Sequence, residues 1–283
     1  MGSVDPPAFV RIEARADHRW LITVSMYTDI TDAAFLQAFT RAVETMWRGR
    51  AGEDEVRVRV DVDVIPPERL YCGDAKGAGE RAADCAPPRA GEEIDLAAHV
   101  MRFPEGRGVL TTGAGSTHVA ARRAIALGSH DVTPRTLAHE FGHLLGFPDG
   151  YLRGYRDLGA DGFQVMELVS DPSDIMASPG NGSVLDRHFE ELVGARELQT
   201  SMRAGLDALY QRNDPADAVV RFRQVLERNA AHYGATLQLA KALDRAKRPD
   251  EAVVQWKKVL EMAEAVHDAE TARTARARLA GGP

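Results

Sequence analysis

The stretch HEFGHLLGFPDGY, residues His139 to Tyr151, decides how the first two thirds of the chain are read. Positions i and i+4 of a helix share a face. His139 and His143 can therefore aim two imidazole nitrogens at one point about 2.0–2.1 Å from each, the distance zinc requires. Glu140 lies one residue round, beside that point, where it can hold a water molecule rather than the ion. Thr133 and Pro134 supply a cap and a first-turn proline for the helix, Leu137, Leu144 and Leu145 its apolar positions, and Gly146 and Pro148 its end. Gly146 also lets the chain turn back under the metal, which makes Asp149 a candidate third ligand, since a carboxylate binds zinc at about 2.0–2.2 Å. Glu167, in GFQVMEL, is the rival. Asp157 and Asp161 are weaker candidates, equally readable as calcium ligands or plain loop residues.

HEFGHLLGFPD resembles the metzincin pattern H-E-x-x-H-x-x-G-x-x-H/D, and the aspartate form is similar to the small bacterial metzincins of the snapalysin type. Downstream, SDIMASPG places Met176 33 residues after His143 and resembles the methionine turn of those families. The resemblance covers roughly Arg19 to Glu191. It implies a zinc endopeptidase in which zinc polarises the scissile carbonyl and a water molecule while Glu140 acts as general base. An aspartate ligand lowers the net charge of the site, which makes help from Glu140 more important. Tyr151 and Tyr155 are candidate oxyanion donors; the place just after the methionine turn, where some metzincins carry a tyrosine, holds Ala177-Ser178-Pro179. The family also implies an edge strand that pairs with an extended peptide substrate, for which RAIALG, Arg123 to Gly128, is the candidate. Water activation serves a zinc amidase acting on other substrates equally well.

Upstream, Arg19 to Tyr27 reads as a strand. Asp32 to Trp47 reads as a helix with Phe35, Leu36, Phe39, Val43 and Met46 on one face, capped by Thr31 or Asp32 and followed by Gly49. EVRVRVDVDVI, Glu55 to Ile65, alternates valine with charge as a half-buried strand does; Asp61 and Asp63 belong to its solvated face. Pro66 to Gly91 reads as loop, Ile94 to Phe103 as a short element of either kind, and Gly108 to Thr112 as a strand. RAIALG reads as a strand, although AARRAIAL would also pass as helix. Asp149 to Gly182 reads mostly as loop, long enough to suggest function.

The tail changes near Gly194, becoming rich in Ala, Leu, Arg and Glu. PADAVVRFRQVLERN begins at Pro215 and PDEAVVQWKKVLEMA at Pro249, 34 residues later. This period, with Ala218 and Ala252 as small helix-contact residues and Phe222 and Trp256 as aromatic knobs, resembles the tetratricopeptide repeat. Tyr233 to Lys247 supplies the preceding helix of the second unit. Ala240 stands where a glycine is usual, and the usual C-terminal proline is absent. Such repeats bury their faces only by stacking, and the resemblance implies a protein partner.

The 283 residues suffice for one large or two ordinary domains. Their 44% apolar and 27% charged content is that of a soluble globular protein. A net charge of -7, with basic residues interspersed among acids, argues against a nucleic-acid partner. No run is long enough to span a membrane. MGSVDPPAF has no apolar signal-peptide core, and its Met-Gly-Ser start is read as a cloning remnant in place of a leader. The two cysteines, Cys72 and Cys85, flank a loop with little apolar surface of its own, and a disulfide there would add about 3 kcal/mol. That bond, against two free thiols in a cytosolic loop, implies a secreted or periplasmic protein. The expectation is an α+β zinc-peptidase domain over residues 1–193, binding one zinc ion, followed by an all-α repeat domain over 194–283. The alternative is a repeat protein whose metal domain is structural or inactive.

Overall fold

The computed structural model describes residues 4–73, 86–89, 92, 94–130 and 132–281. They form two compact units that divide between Val193 and Gly194. The first is mixed α+β and the second is helical.

The first unit opens with the strands β1 (Val10–Arg15) and β2 (Arg19–Thr28), then α1 (Ala33–Met46). The Asp32 carboxylate caps α1 by accepting from the amides of Ala34 and Phe35. Gly49 follows the helix as expected and lies in β3 (Arg48–Ala51), which turns back along β4 (Asp54–Val64). In β4 the alternation holds: Val56, Val58 and Val60 are buried. Its charged face pairs locally, Asp61 with Arg59 at 2.9 Å and Asp63 with Arg107. Within the stretch read as loop, PERLYC forms a helical turn, α2 (Pro67–Cys72). Cys85, the expected partner of Cys72, lies outside the described residues.

The ambiguous element is a helix, α3 (Leu96–Met101), capped by Asp95. Then come β5 (Gly108–Ala114), β6 (His118–Ala120) and β7 (Ala124–Gly128). The seven-stranded sheet runs β3-β4-β2-β5-β7-β6, with β1 added to β2. β2, β4, β5 and β7 are mutually parallel, whereas β1, β3 and β6 are antiparallel to their neighbours. RAIALG is therefore not the edge. β7 lies between β5 and β6 and is buried from Ala124 to Leu127, as an uninterrupted apolar run should be. The edge on this side of the sheet is β6, which at three residues is too short to show a period.

α4 (Pro134–Leu144) packs against α1. Within the stretch read mostly as loop, Asp149 to Gly182, lies a hairpin, β8 (Tyr151–Asp157) and β9 (Phe163–Val169), joined by a 3-10 turn at Gly159–Asp161. Gly159 and Gly162 take the left-handed φ values of 66° and 90° that the turn needs. Gly159, Asp161 and Gly162, part of what made the segment look like loop, belong to this turn. Phe189 and Leu192, early in α5 (Asp186–Tyr210), join the valines of β4 and the apolar faces of α1 and α4 in one core.

In the second unit the later residues of α5 are followed by α6 (Pro215–Arg228), α7 (Tyr233–Arg245), α8 (Pro249–Ala265) and α9 (Ala269–Ala280). Ala218, Phe222, Ala252 and Trp256 are all buried in its core. Phe222 lies so close to Gly205 of α5 that a Cβ there would come within 2.6 Å of its ring. Trp256 keeps its indole N–H satisfied by donating to Asp244 at 3.0 Å. Among the described residues, no helix is long and apolar enough to cross a membrane.

Candidate metal centre

Thr133 caps α4 through its hydroxyl, which accepts from the Thr136 amide at 3.1 Å, and Pro134 occupies the first turn. One helical turn apart, His139 and His143 bring their Nε2 atoms to 3.2 Å from each other. After the helix, Gly146 adopts φ +101°, where a side chain would be strained, and the chain folds back so that Asp149 returns to the same point. Its Oδ1 lies 3.3 Å from His139 Nε2 and 3.2 Å from His143 Nε2. Glu167 is elsewhere, on β9, where it accepts from Arg153 at 3.1 Å.

The protonation of the two rings follows from their partners. His139 Nδ1 faces the Ile175 carbonyl at 2.9 Å and His143 Nδ1 faces the Phe147 carbonyl at 2.8 Å. A carbonyl only accepts, so each Nδ1 carries a proton and each ring turns its Nε2 inward, the nitrogen a metal would take. Two imidazole nitrogens and a carboxylate oxygen thus converge on one point. A tetrahedral ion with bonds of about 2.0–2.1 Å needs ligand atoms about 3.3–3.4 Å apart, and the observed 3.2–3.3 Å fits that spacing. The donor set, two nitrogens and one oxygen, suits zinc. Among the described residues this is the one group of three or more His, Cys, Asp or Glu side chains placed to hold a metal, so Asp157 and Asp161 form no such group.

The three residues share a cleft of about 820 Å³ with Glu140, with His118 and Val119 of β6, and with Tyr151 and Arg153 of β8. Glu140 is nearly buried. Burial, and then the charge of Asp149, push its carboxyl up to about 7, against a hydrogen bond from the Val119 backbone. The edge strand therefore holds the carboxylate beside the metal position. His139 is shifted down, first by burial and, among the nearby charges, by His143. Tyr151 hydrogen-bonds Asp149, and burial followed by that carboxylate raises its phenol. Tyr155 lies out on the hairpin, 70% exposed.

Beneath the helix sits the Met176 turn. Met176 is buried, and a Cβ on Gly142 would lie 2.3 Å from its sulfur and 3.0 Å from the Trp47 ring. Gly142, inside the HEFGH motif, is the residue that lets both approach. Trp47 Nε1–H donates to the Ala138 carbonyl at 2.8 Å, fixing α1 to α4. Asp174 organises the turn: its Oδ1 accepts from the Met176 amide at 2.8 Å and faces His188 Nε2 at 3.1 Å, and its Oδ2 accepts from Arg187 at 2.7 Å. His188 Nδ1 accepts from the Leu185 amide at 3.0 Å, so Nε2 carries the proton given to Asp174. Sequence reasoning missed Trp47, Gly142, Asp174, Arg187 and His188. Only Gly142 and Asp174 had a signal, through their places inside HEFGH and SDIMASPG.

Residues 209–279 match the tetratricopeptide repeat family, which covers α6 to α9 apart from the last residue of α9. No curated protein and no solved structure matches the chain.

Proposed function

We propose that the chain is a zinc-dependent endopeptidase of metzincin type carrying a protein-binding helical-repeat module. The observation that supports the peptidase half is the convergence of His139 Nε2, His143 Nε2 and Asp149 Oδ1 at 3.2–3.3 Å, the spacing of the ligand atoms of a tetrahedral ion. Zinc held there would supply Lewis-acid polarisation of a carbonyl and of water. Glu140, in the same cleft and close to neutral pKa, takes a proton from water and delivers it to the leaving amine. The exposed edge of β6 offers backbone groups to an extended peptide. Tyr151, at the Asp149 carboxylate, is the donor best placed for a developing oxyanion. A secreted or periplasmic location belongs to the same proposal.

The family match favours a second reading, in which protein binding by the repeats is the main activity and the metal unit is structural or inactive. Glu140 separates the two, because a structural metal site has no use for a general base. Glu140→Ala is expected to keep one zinc per chain, measured by elemental analysis, and to lower peptide hydrolysis by about 10²–10⁴-fold. Hydrolysis at the parental rate would sink the mechanism. A parent chain that binds zinc and cleaves no member of a peptide library would establish the second reading.

A further inference from the structure

The β8–β9 hairpin exposes more large apolar surface than its own stability can use. Leu152, Tyr155, Phe163 and Leu168 are each 70% exposed or more, and Val165 is 60% exposed. Among the described residues its two strands pair only with each other, so both edges are open. An isolated two-stranded hairpin is marginal in water, and contiguous exposed apolar surface marks an interaction site.

The register separates its faces. Tyr151, Arg153, Tyr155 and Asp157 stand opposite Val169, Glu167, Val165 and Phe163, and these eight share one face; Leu152, Leu168 and Met166 lie on the other. Tyr151 and Arg153 line the metal cleft, whereas Leu152 and Gly154 do not. The face bearing Tyr155, Val165 and Phe163 is therefore the cleft's own wall continued outward. The hairpin sets Arg153 and Arg156 against Asp157, Asp161 and Glu167 in a chain of net charge -7, and so offers no basic patch to an anionic lipid surface.

We infer that the Tyr155–Val165–Phe163 face of the hairpin holds an extended apolar segment of a polypeptide substrate whose scissile bond lies in the metal cleft. This rests on the peptidase proposal for the fate of the bound chain but not for its binding. The substrate class that follows is an unfolded or flexible polypeptide with an apolar stretch several residues from the cleaved bond. Short peptides reach the metal without touching this face.

Two measurements on the full chain test it, with β-casein as the unfolded apolar probe. The first is the dissociation constant of fluorescent β-casein on the Glu140→Ala chain. The second is kcat/KM for β-casein against that for a six-residue peptide spanning a cleaved bond. Adding Phe163→Ser/Val165→Ser is expected to weaken β-casein binding, and to lower its kcat/KM, by at least about tenfold, with the short peptide changed less than about twofold. Leu152→Ser/Leu168→Ser, on the opposite face, is expected to change neither substrate by more than about twofold. Unchanged binding in the first pair, or equal loss from both pairs, overturns the inference. So does a parent dimer that the first pair dissolves in analytical ultracentrifugation, or co-sedimentation with phosphatidylglycerol vesicles that it abolishes. If the parent binds β-casein through Phe163 and Val165 yet cleaves nothing, the peptidase proposal fails and the docking face stands.

Discussion

In the first unit, the candidate site converges on a few polar atoms: two imidazole nitrogens and one carboxylate oxygen within 3.2–3.3 Å, held by two carbonyls and the Met176 turn. In the second unit no such constellation exists among the described residues. Its order comes from alanines and aromatics repeated down a helical stack, Ala218 with Phe222 and Ala252 with Trp256. The difference teaches where each half is vulnerable. A repeat stack spreads its stability over many similar contacts and is damaged by lost volume. A metal centre of the kind proposed would concentrate its consequences, so that changes costing little folding energy would remove its chemistry.

The sharpest way to break that contrast is Trp256→Ala. The side chain is buried and its N–H is bonded to Asp244, so truncation leaves a cavity and removes that hydrogen bond. It is expected to destabilise the repeat unit by about 3–5 kcal/mol. Urea unfolding followed by circular dichroism should show the helical transition move, while zinc content holds at one per chain. Loss of zinc on this substitution would mean that the two halves are not separable in the way drawn above.

Asp174→Asn is next. It keeps the shape of the side chain but removes the charge that receives Arg187, His188 and the Met176 amide. A hydrogen bond to a charged group contributes about 1.5–3 kcal/mol, and that is the stability loss expected in the first unit. Because the Ile175 carbonyl that orients His139 belongs to the same turn, zinc affinity in a chelator competition should fall as well. Stability lost with affinity untouched would make Asp174 a packing residue only.

The parts of this molecule legible in its sequence are those whose determinants are neighbours. The capped helix α4 has its threonine, proline, ligands and closing glycine within fourteen residues. The valines of β4 and the 34-residue period of the tail are equally local patterns. What could not be read needed partners brought from afar. Gly142 is explained only by Met176 and Trp47, which no spacing rule connects to it. His188 and Asp174 meet because α5 starts against the methionine turn. The choice between Asp149 and Glu167 could not be made from spacing alone; in the fold, β8–β9 pairing sets Glu167 opposite Arg153 while the Gly146 turn delivers Asp149 to both histidines. The edge strand was misassigned for a related reason: β6 is too short to show a period, and β7 is a buried run that periodicity cannot place within a sheet.

The smallest expected effect compares the two halves on equal terms. Thr133 caps α4 and Asp214 caps α6, each with one side-chain oxygen accepting from an amide three residues on, at 3.1 and 3.0 Å. Replacing either by alanine is expected to cost about 1 kcal/mol of its own unit's stability. The metal centre should nevertheless ignore both. His139 and His143 lie in the later turns of α4 and are oriented from the far side, by the Ile175 and Phe147 carbonyls, whereas Thr133 governs only the first turn. Zinc affinity in Thr133→Ala within about twofold of the parent would show that the centre is held from its C-terminal end and from below. A tenfold loss would show instead that the whole of α4, cap included, behaves as one rigid ligand-bearing element, and would draw the boundary of the metal centre wider than its three carbonyl- and turn-held side chains.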